Sequence, residues 1–359
     1  MEFLFEFLSG LVAQFQKPTL AFLIGGMVLA ACRSKLEVPE PVYKFIVLLL
    51  LLKIGLGAGI SVRESDLVAL IVPALGAAIV GVAIVLIGVL TLASRQQVAP
   101  IDGIATAGVF GAVSASTLAA GMAVLDTDGI AYEGFIGALY PFMDIAALVT
   151  AIVLGRISLA RKNAAPAIQT SAQGTLSLGG GMPPGISSVS GADSGMIKKI
   201  LVDTVRSPAI SALLLGLAIG LFAKPDSVYE SFYEPLFRGL LSVLMLIMGA
   251  EAWARISEMR KVASTYVIYG IAGPLLHGML GFAAGLIAHH LTGFSAGGVV
   301  LLSIMAASSS DISGPPTVRA ALPEANPSAY IGCSTGIGTP VAILSIPLFI
   351  GLAEMLIGF

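Results

Sequence analysis

Met305-Ala306-Ala307-Ser308-Ser309-Ser310-Asp311-Ile312-Ser313-Gly314-Pro315-Pro316-Thr317 decides how the rest of the chain is read. It lies between the apolar runs 297–302 and 318–322. Four serines and an aspartate have no role facing lipid unless something polar sits among them. Gly314-Pro315-Pro316 cannot continue a helix, because each proline lacks an N–H and its ring crowds the preceding turn. The stretch reads as a membrane helix interrupted at depth, which is tolerated only where the backbone lines a cavity or is buried in protein. An ionisable side chain at that depth, Asp311, is a functional candidate by default.

The totals agree with a membrane protein. The 359-residue chain is 57% apolar and 11% charged, against about 25% charged in soluble domains. Its 42 glycines and 19 prolines suit a helical transporter better than a β-barrel, whose segments alternate apolar and polar. A net charge of −2 gives no reason to expect nucleic acid. Cys32 and Cys333 have no metal-ligand spacing. Residues 1–17 place Glu2 and Glu6 where a signal peptide has basic residues, and they read as an amphipathic interfacial segment.

Apolar windows of spanning length mark ten segments: 18–32, 41–62, 67–92, 102–124, 133–155, 205–223, 235–254, 262–289, 296–322 and 327–357. Between the fifth and sixth, 156–204 reads as a linker, its middle rich in Ser, Gly, Ala and Pro. Placing the N-terminus outside puts 13 of the 19 Lys and Arg on the inner side, 3 outside and 3 within segments. The positive-inside rule then predicts both termini outside and the linker in the cytoplasm.

The domains expected are therefore the 1–17 segment, a five-helix unit over 18–155, the linker, and a second five-helix unit over 205–359. The units repeat. An offset of 194 sets Lys44 against Arg238, Gly55 against Gly249 and Glu64 against Glu258. An offset of 195 sets Phe135-Ile136-Gly137 against Tyr330-Ile331-Gly332, Ser114 against Ser309 and Ser116 against Asp311. Five helices per unit is odd, so the second enters from the opposite side, and the fold class predicted is an all-α 5+5 inverted repeat.

In such carriers the solute lies near the midplane, between paired discontinuous helices. Here the pair is segments four (Gly108–Thr117) and nine (Ser308–Gly314), expected to cross. Their half-helix N-termini attract an anion. Hydroxyls, freed carbonyls and a carboxylate are hard oxygen ligands suited to sodium. Ser114, Ser116, Thr117, Ser309 and Ser310 are the candidates for the anion. Asp311, Ser308, Ser313 and Asp144, the last mid-segment in Tyr140-Pro141-Phe142-Met143-Asp144, are the candidates for sodium. His277 is expected in a helix–helix hydrogen bond. Lys53 is expected to snorkel or pair with an acid, and Trp253, Tyr266 and Tyr269 to form an interfacial belt.

Ala306–Thr317, Gly137-Ala138-Leu139-Tyr140-Pro141-Phe142-Met143-Asp144-Ile145, Gly111-Ala112-Val113-Ser114 and Asn326-Pro327-Ser328-Ala329-Tyr330-Ile331-Gly332 resemble the cyanobacterial sodium-dependent bicarbonate transporters over essentially the whole chain except the linker. That resemblance implies sodium-driven bicarbonate uptake across the plasma membrane within a carbon-concentrating mechanism, with Na+ co-transported and no organic cofactor. It also implies core and gate domains, a homotrimer, an elevator-like movement, and a PII-type trimeric regulator that binds adenine nucleotides and docks on the cytoplasmic face. Segments three to five and eight to ten would move against one, two, six and seven.

The residues themselves leave rivals open. A sodium/proton antiporter or a carboxylate symporter shares the fold. An intramembrane aspartyl protease would use Asp144 and Asp311 as a dyad, though Asp311 follows three serines and not Gly-x-Gly.

Overall fold

A computed structural model describes residues 18–36, 38–64, 67–164, 202, 205, 206, 208–258, 264–311 and 313–359. The expectations for 1–17 and for the Ser/Gly/Pro-rich middle of the linker lie outside the described residues.

Among the described residues all regular structure is helical. The first part comprises α1 (Pro18–Ala31), α2 (Glu40–Glu64), and α3 (Leu67–Gly88) with a π-turn Val89–Ala93. Then come α4 (Pro100–Gly111), α5 (Ala115–Asp128), and a 3-10 turn Gly134–Leu139 leading into α6 (Tyr140–Ala164). The second part has α7 (Pro208–Phe222) and α8 (Glu234–Glu258), the latter preceded by helical and π turns over Asp226–Val228 and Tyr229–Tyr233. It continues through α9 (Ser264–Thr292), α10 (Ala296–Ala307) and α11 (Gly314–Ala321). It closes with α12 (Pro327–Cys333), a π-turn Ser334–Gly338, α13 (Thr339–Leu344) and α14 (Ile346–Leu356).

Seven helical stretches of the described chain are long and apolar enough to span a membrane, and three shorter apolar helices stand at Leu20–Ala31, Ile210–Phe222 and Ala296–Ala307. Large apolar side chains point outward, among them Ile79, Leu90, Ile268 and Leu291. Hydroxyls and Asp144 are buried inside. That distribution is the reverse of a soluble protein's and suits lipid outside and a polar seam within.

Three boundaries differ from expectation. α6 continues to Ala164, nine residues past the expected end of segment five at 155 and into the expected linker. Hydropathy detects the apolar span, whereas Leu, Ala, Arg and Lys keep a helix going beyond it. Segment seven begins earlier, at Asp226. Segment ten is not one helix, because Ser334-Thr335-Gly336 and Thr339-Pro340 interrupt it with a π-turn and a restart.

Two bodies are visible in the packing. α1 packs along α8 and α2 along α7, while α3, α4, α6, α9, α10 and α11 to α14 pack among themselves. In the first body backbones touch. A methyl on Gly26 would strike the Leu246 carbonyl, and one on Gly249 the Leu23 carbonyl. Likewise Gly55 and Gly59 abut the Leu213 and Leu217 carbonyls, and Gly216 and Gly220 those of Leu52 and Leu56. Small residues drive helix pairing in lipid, where there is no hydrophobic gain from excluding water. Gly26→Val is therefore expected to lower the thermal unfolding midpoint of the purified protein, since overpacking costs about 1–3 kcal/mol. Gly25→Val, with open space at its Cβ, controls for helix propensity, and equal midpoints for the two would contradict the packing.

Contacts of a similar kind occur in both parts of the chain. α2 meets the Gly134–Leu139 turn, and α8 meets the Ser334–Gly338 turn. Glu133 accepts hydrogen bonds from Ser295 N (2.6 Å) and Ser295 Oγ (2.8 Å) at the start of α10. Asp102, at the start of α4, accepts from Asn326 N (2.8 Å), the cap of α12.

Candidate functional site

Residues 103–125, the middle of the Pro100–Asp128 span, are all buried in the protein. Within it α4 stops at Gly111, and Ala112 and Ser114 are extended (ψ 147° and 122°) before α5 starts. α10 stops at Ala307, and Ser308 is likewise extended (ψ 168°). The two breaks are stitched together. Ser114 N donates to Ser308 Oγ (2.9 Å), and Ser310 N donates to the Val109 carbonyl (2.8 Å). Val113 N donates to Asp144 Oδ1 (3.0 Å), and the Val113 carbonyl accepts from Tyr140 OH (3.0 Å). A buried, non-helical backbone must find such partners.

Two hydroxyl chains run through the crossing. Ser116 Oγ donates to Asp311 Oδ2 at 2.8 Å. Each hydroxyl has one proton, so in the 2.8 Å Ser114–Ser116 contact Ser114 is the donor. Ser114 Oγ in turn accepts from Thr117 N (3.2 Å), capping α5. In the second chain Ser313 Oγ donates to Asp144, 3.1 Å from Oδ2. Ser310 is then the donor in the 2.9 Å Ser310–Ser313 contact, and its oxygen caps Gly314 N at 2.8 Å. Each serine pair thus ends on a carboxylate from the other half of the chain.

The sequence candidates therefore gather in one place, but their surroundings differ. Asp144 is fully buried, its carboxylate held by Val113 and Ser313. Asp311 is only half-buried and lines a cavity of about 520 Å³ with Glu40, Tyr43, Lys44 and Val47 of α2 and Pro315 and Arg319 of α11. Ser308 also donates back to Met305 O (2.6 Å). Ser309 turns the other way, toward Thr339 Oγ1 (3.2 Å), which itself donates to Ser309 O (3.2 Å). Thr117 Oγ1 is buried with no hydrogen-bond partner among the described residues.

Several expectations are corrected. At the half-helix N-termini the N–H groups of Thr117 and Gly314 donate to the Ser114 and Ser310 side chains. His277 makes no hydrogen bond among the described residues, and its ring packs instead against Phe110 and Tyr269. Tyr266 and Tyr269 are buried rather than part of an interfacial belt, although Trp253 is exposed. Lys53 does pair with an acid, Glu234 (3.1 Å), and lies over the Phe237 ring. Asp144 and Asp311 are each held by a different serine pair, not arranged as a protease dyad.

Sequence reading missed Tyr140, Ser334 and Thr339. Ser334 Oγ donates to Ser310 O (3.1 Å). The signal was present in Ser334-Thr335-Gly336 and Thr339-Pro340, a hydroxyl, glycine and proline run inside an apolar segment like 308–317.

An all-helical membrane protein whose interrupted helices bury hydroxyls and carboxylates at their crossing belongs to the class of membrane transporters. The chain is a member of the Na+-dependent bicarbonate transporter superfamily, whose family model matches residues 18–354. This is a family of transporters and not of enzymes. No curated protein matches the chain.

Proposed function

We propose that the protein takes up bicarbonate by symport with sodium, through alternating access at the crossing. The observation that carries this reading is the pair of hydroxyl chains, each beginning in one half of the molecule and ending on a carboxylate of the other. Sodium binds at the Asp311 arm, with Ser114, Ser116 and Thr117 oxygens in reach of the same end of α5. Asp144, Ser308, Ser310 and Ser313 hold the two breaks in register, and Asp144 and Ser313 serve sodium through that geometry.

The order of binding follows from charge. Asp311 faces the 520 Å³ vestibule, and a bicarbonate about 4 Å from it meets a repulsion of about 4 kcal/mol at the effective dielectric near a protein surface. Sodium on the carboxylate removes that repulsion, so it binds first. Arg319, which lines the same vestibule, draws the anion in, while Lys44 there is paired with Glu40 (2.7 Å).

The inverted repeat is supported by a contact between equivalent positions. Ser116 and Asp311, equivalent at the repeat offset of 195, touch, and equivalent residues touch only where they flank a two-fold axis; the Ser114–Ser308 contact lies one residue out of that register. The mirrored clamps Glu133–Ser295 and Asp102–Asn326 add to it. The three shorter apolar helices complete ten segments. The α1, α2, α7 and α8 body serves as the gate and the rest as the moving core. With the linker cytoplasmic, the large vestibule opens inward. The outer side is narrowed to about 150 Å³ beside Lys53, Asp126, Tyr132 and Glu234, which describes an inward-facing state. A homotrimer joined through the gate, a PII-type regulator on the cytoplasmic face, a plasma-membrane location and a place in carbon concentration remain parts of the same proposal, drawn from the family resemblance.

Radiolabelled bicarbonate uptake into proteoliposomes tests the reading. Uptake is expected to rise with an inward sodium gradient and to be unaffected by excess organic carboxylate. Indifference to sodium would overturn symport. Competition by a carboxylate would identify a carboxylate symporter, and sodium-driven proton movement without bicarbonate an antiporter.

A further inference from the structure

A second cavity, about 760 Å³, lies apart from the vestibule. It lies between α3 with its π-turn and α9, on the far side of the core from the gate. Its mouth holds Arg95, Gln96, Gln97 and Thr265, and its inner end reaches Tyr269 and His277. Thr265 Oγ1 donates to Gln97 Oε1 (3.1 Å) across the mouth. The walls are apolar, and Ile268 and Leu276, which line it, are 66% and 49% exposed. In a membrane that flank faces acyl chains.

The inner end is the unusual part. Neither His277 nitrogen nor the Tyr269 hydroxyl has a hydrogen-bond partner among the described residues, and His277 is 0% exposed. Leaving such groups unpaired is costly at that depth. Tyr269, Gly273 and His277 form one column along α9, and Gly273, without a side chain, is all that stands beside the His277 ring on that face. Volume, an apolar lining and a few convergent polar groups are the marks of a ligand site.

We infer that this crevice binds one anionic glycerophospholipid, with its phosphate at Arg95 and the Gln96, Gln97 and Thr265 groups, and one chain entering between α3 and α9. Tyr269 lies one turn, about 6 Å, below Thr265 on α9, the depth of the ester groups beneath a phosphate. Tyr269 therefore lies level with the ester groups, and His277 lies deeper in the same column. A basic side chain at the mouth selects an anionic head over a zwitterionic one.

The bound lipid would reach the transport site through one residue. Phe110 packs edge-on to Tyr269 (5.0 Å between centroids) and to His277 (6.0 Å). A methyl on Gly338 would meet both the far end of that Phe110 ring and Ser309 Oγ. Phe110 is thus the wall between the crevice and the crossing, one residue before α4 ends. Filling the crevice holds that wall, and with it the break between α4 and α5.

Native mass spectrometry of the purified full chain, delipidated and titrated with phosphatidylglycerol or phosphatidylcholine, tests the site. The wild type is expected to retain one phosphatidylglycerol per chain in preference to phosphatidylcholine. Arg95→Gln is expected to lower that preference about fivefold, the ratio equivalent to about 1 kcal/mol per basic residue at an anionic surface. Ala272→Phe, at an exposed position lining the crevice, is expected to abolish retention while the unfolding midpoint stays at the wild-type value. Retention unchanged in both variants would overturn the proposal. Binding of oleate with none of phosphatidylglycerol would overturn the phospholipid assignment, because the anionic chain would then be a free fatty acid. Should Ala272→Phe fail to fold, the Arg95→Gln ratio alone decides.

Discussion

Asp311→Asn is expected to abolish sodium-driven bicarbonate uptake while leaving the fold intact. The asparagine Oδ1 still accepts the hydrogen bond that Ser116 Oγ gives to Asp311 at 2.8 Å, so the stitched breaks keep their partners. What disappears is the charge. Removing one member of a hydrogen-bonded charge pair out of bulk water costs about 2–5 kcal/mol, so sodium affinity falls at least about thirtyfold. Without sodium the anion also loses its neighbouring positive charge. The measurement is uptake against sodium concentration in proteoliposomes, with the unfolding midpoint as the control for folding. Full uptake with an unchanged sodium dependence would remove Asp311 from the mechanism. Asp144→Asn serves as the contrast. Its carboxylate is fully buried and held by Val113 N and Ser313 Oγ, so its loss is expected in the unfolding midpoint as well as in uptake.

The crossing was legible because its residues break the rule of their surroundings. Serines, an aspartate and two consecutive prolines inside an apolar run have few explanations other than a broken, protein-lined helix, and 308–313 is where α10 gives way to α11. The offset near 195 found Ser116 opposite Asp311, and those two side chains touch. Other features were not legible for definite reasons. Which hydroxyl caps its own helix and which reaches across depends on backbone direction after a break, and composition does not encode that. Ser309 and Ser310 are adjacent yet serve Thr339 and Ser313 respectively. The burial of Tyr266 and Tyr269 was missed because aromatic residues near the end of a hydrophobic window look alike whether they face lipid or protein. The end of α6 was missed because hydropathy falls at Arg156 while helix propensity does not.

Joining the gate to the core should stop transport, and the structure offers a place to do it. A Cβ built on Gly137, in the turn before α6, would meet Ile54 Cγ2 of α2 and lie 3.2 Å from the Ile54 carbonyl. Cysteines at the two positions therefore fall within the reach of a disulfide, which requires Cα atoms within about 7 Å. In a background of Cys32→Ser, which removes the exposed thiol, Ile54→Cys with Gly137→Cys is expected to crosslink on mild oxidation. Uptake should then drop to the level of empty liposomes and return on reduction, whereas Ile54→Cys alone should transport under both conditions. In the sliding movement proposed above, Gly137 would pass Ile54 by more than a disulfide allows, so the crosslinked protein would be held in one state. If it transports at the wild-type rate, α2 and the Gly134–Leu139 turn travel together, and the division into a gate of α1, α2, α7 and α8 against the remaining helices is wrong. If no crosslink forms, this contact is not present in the resting protein.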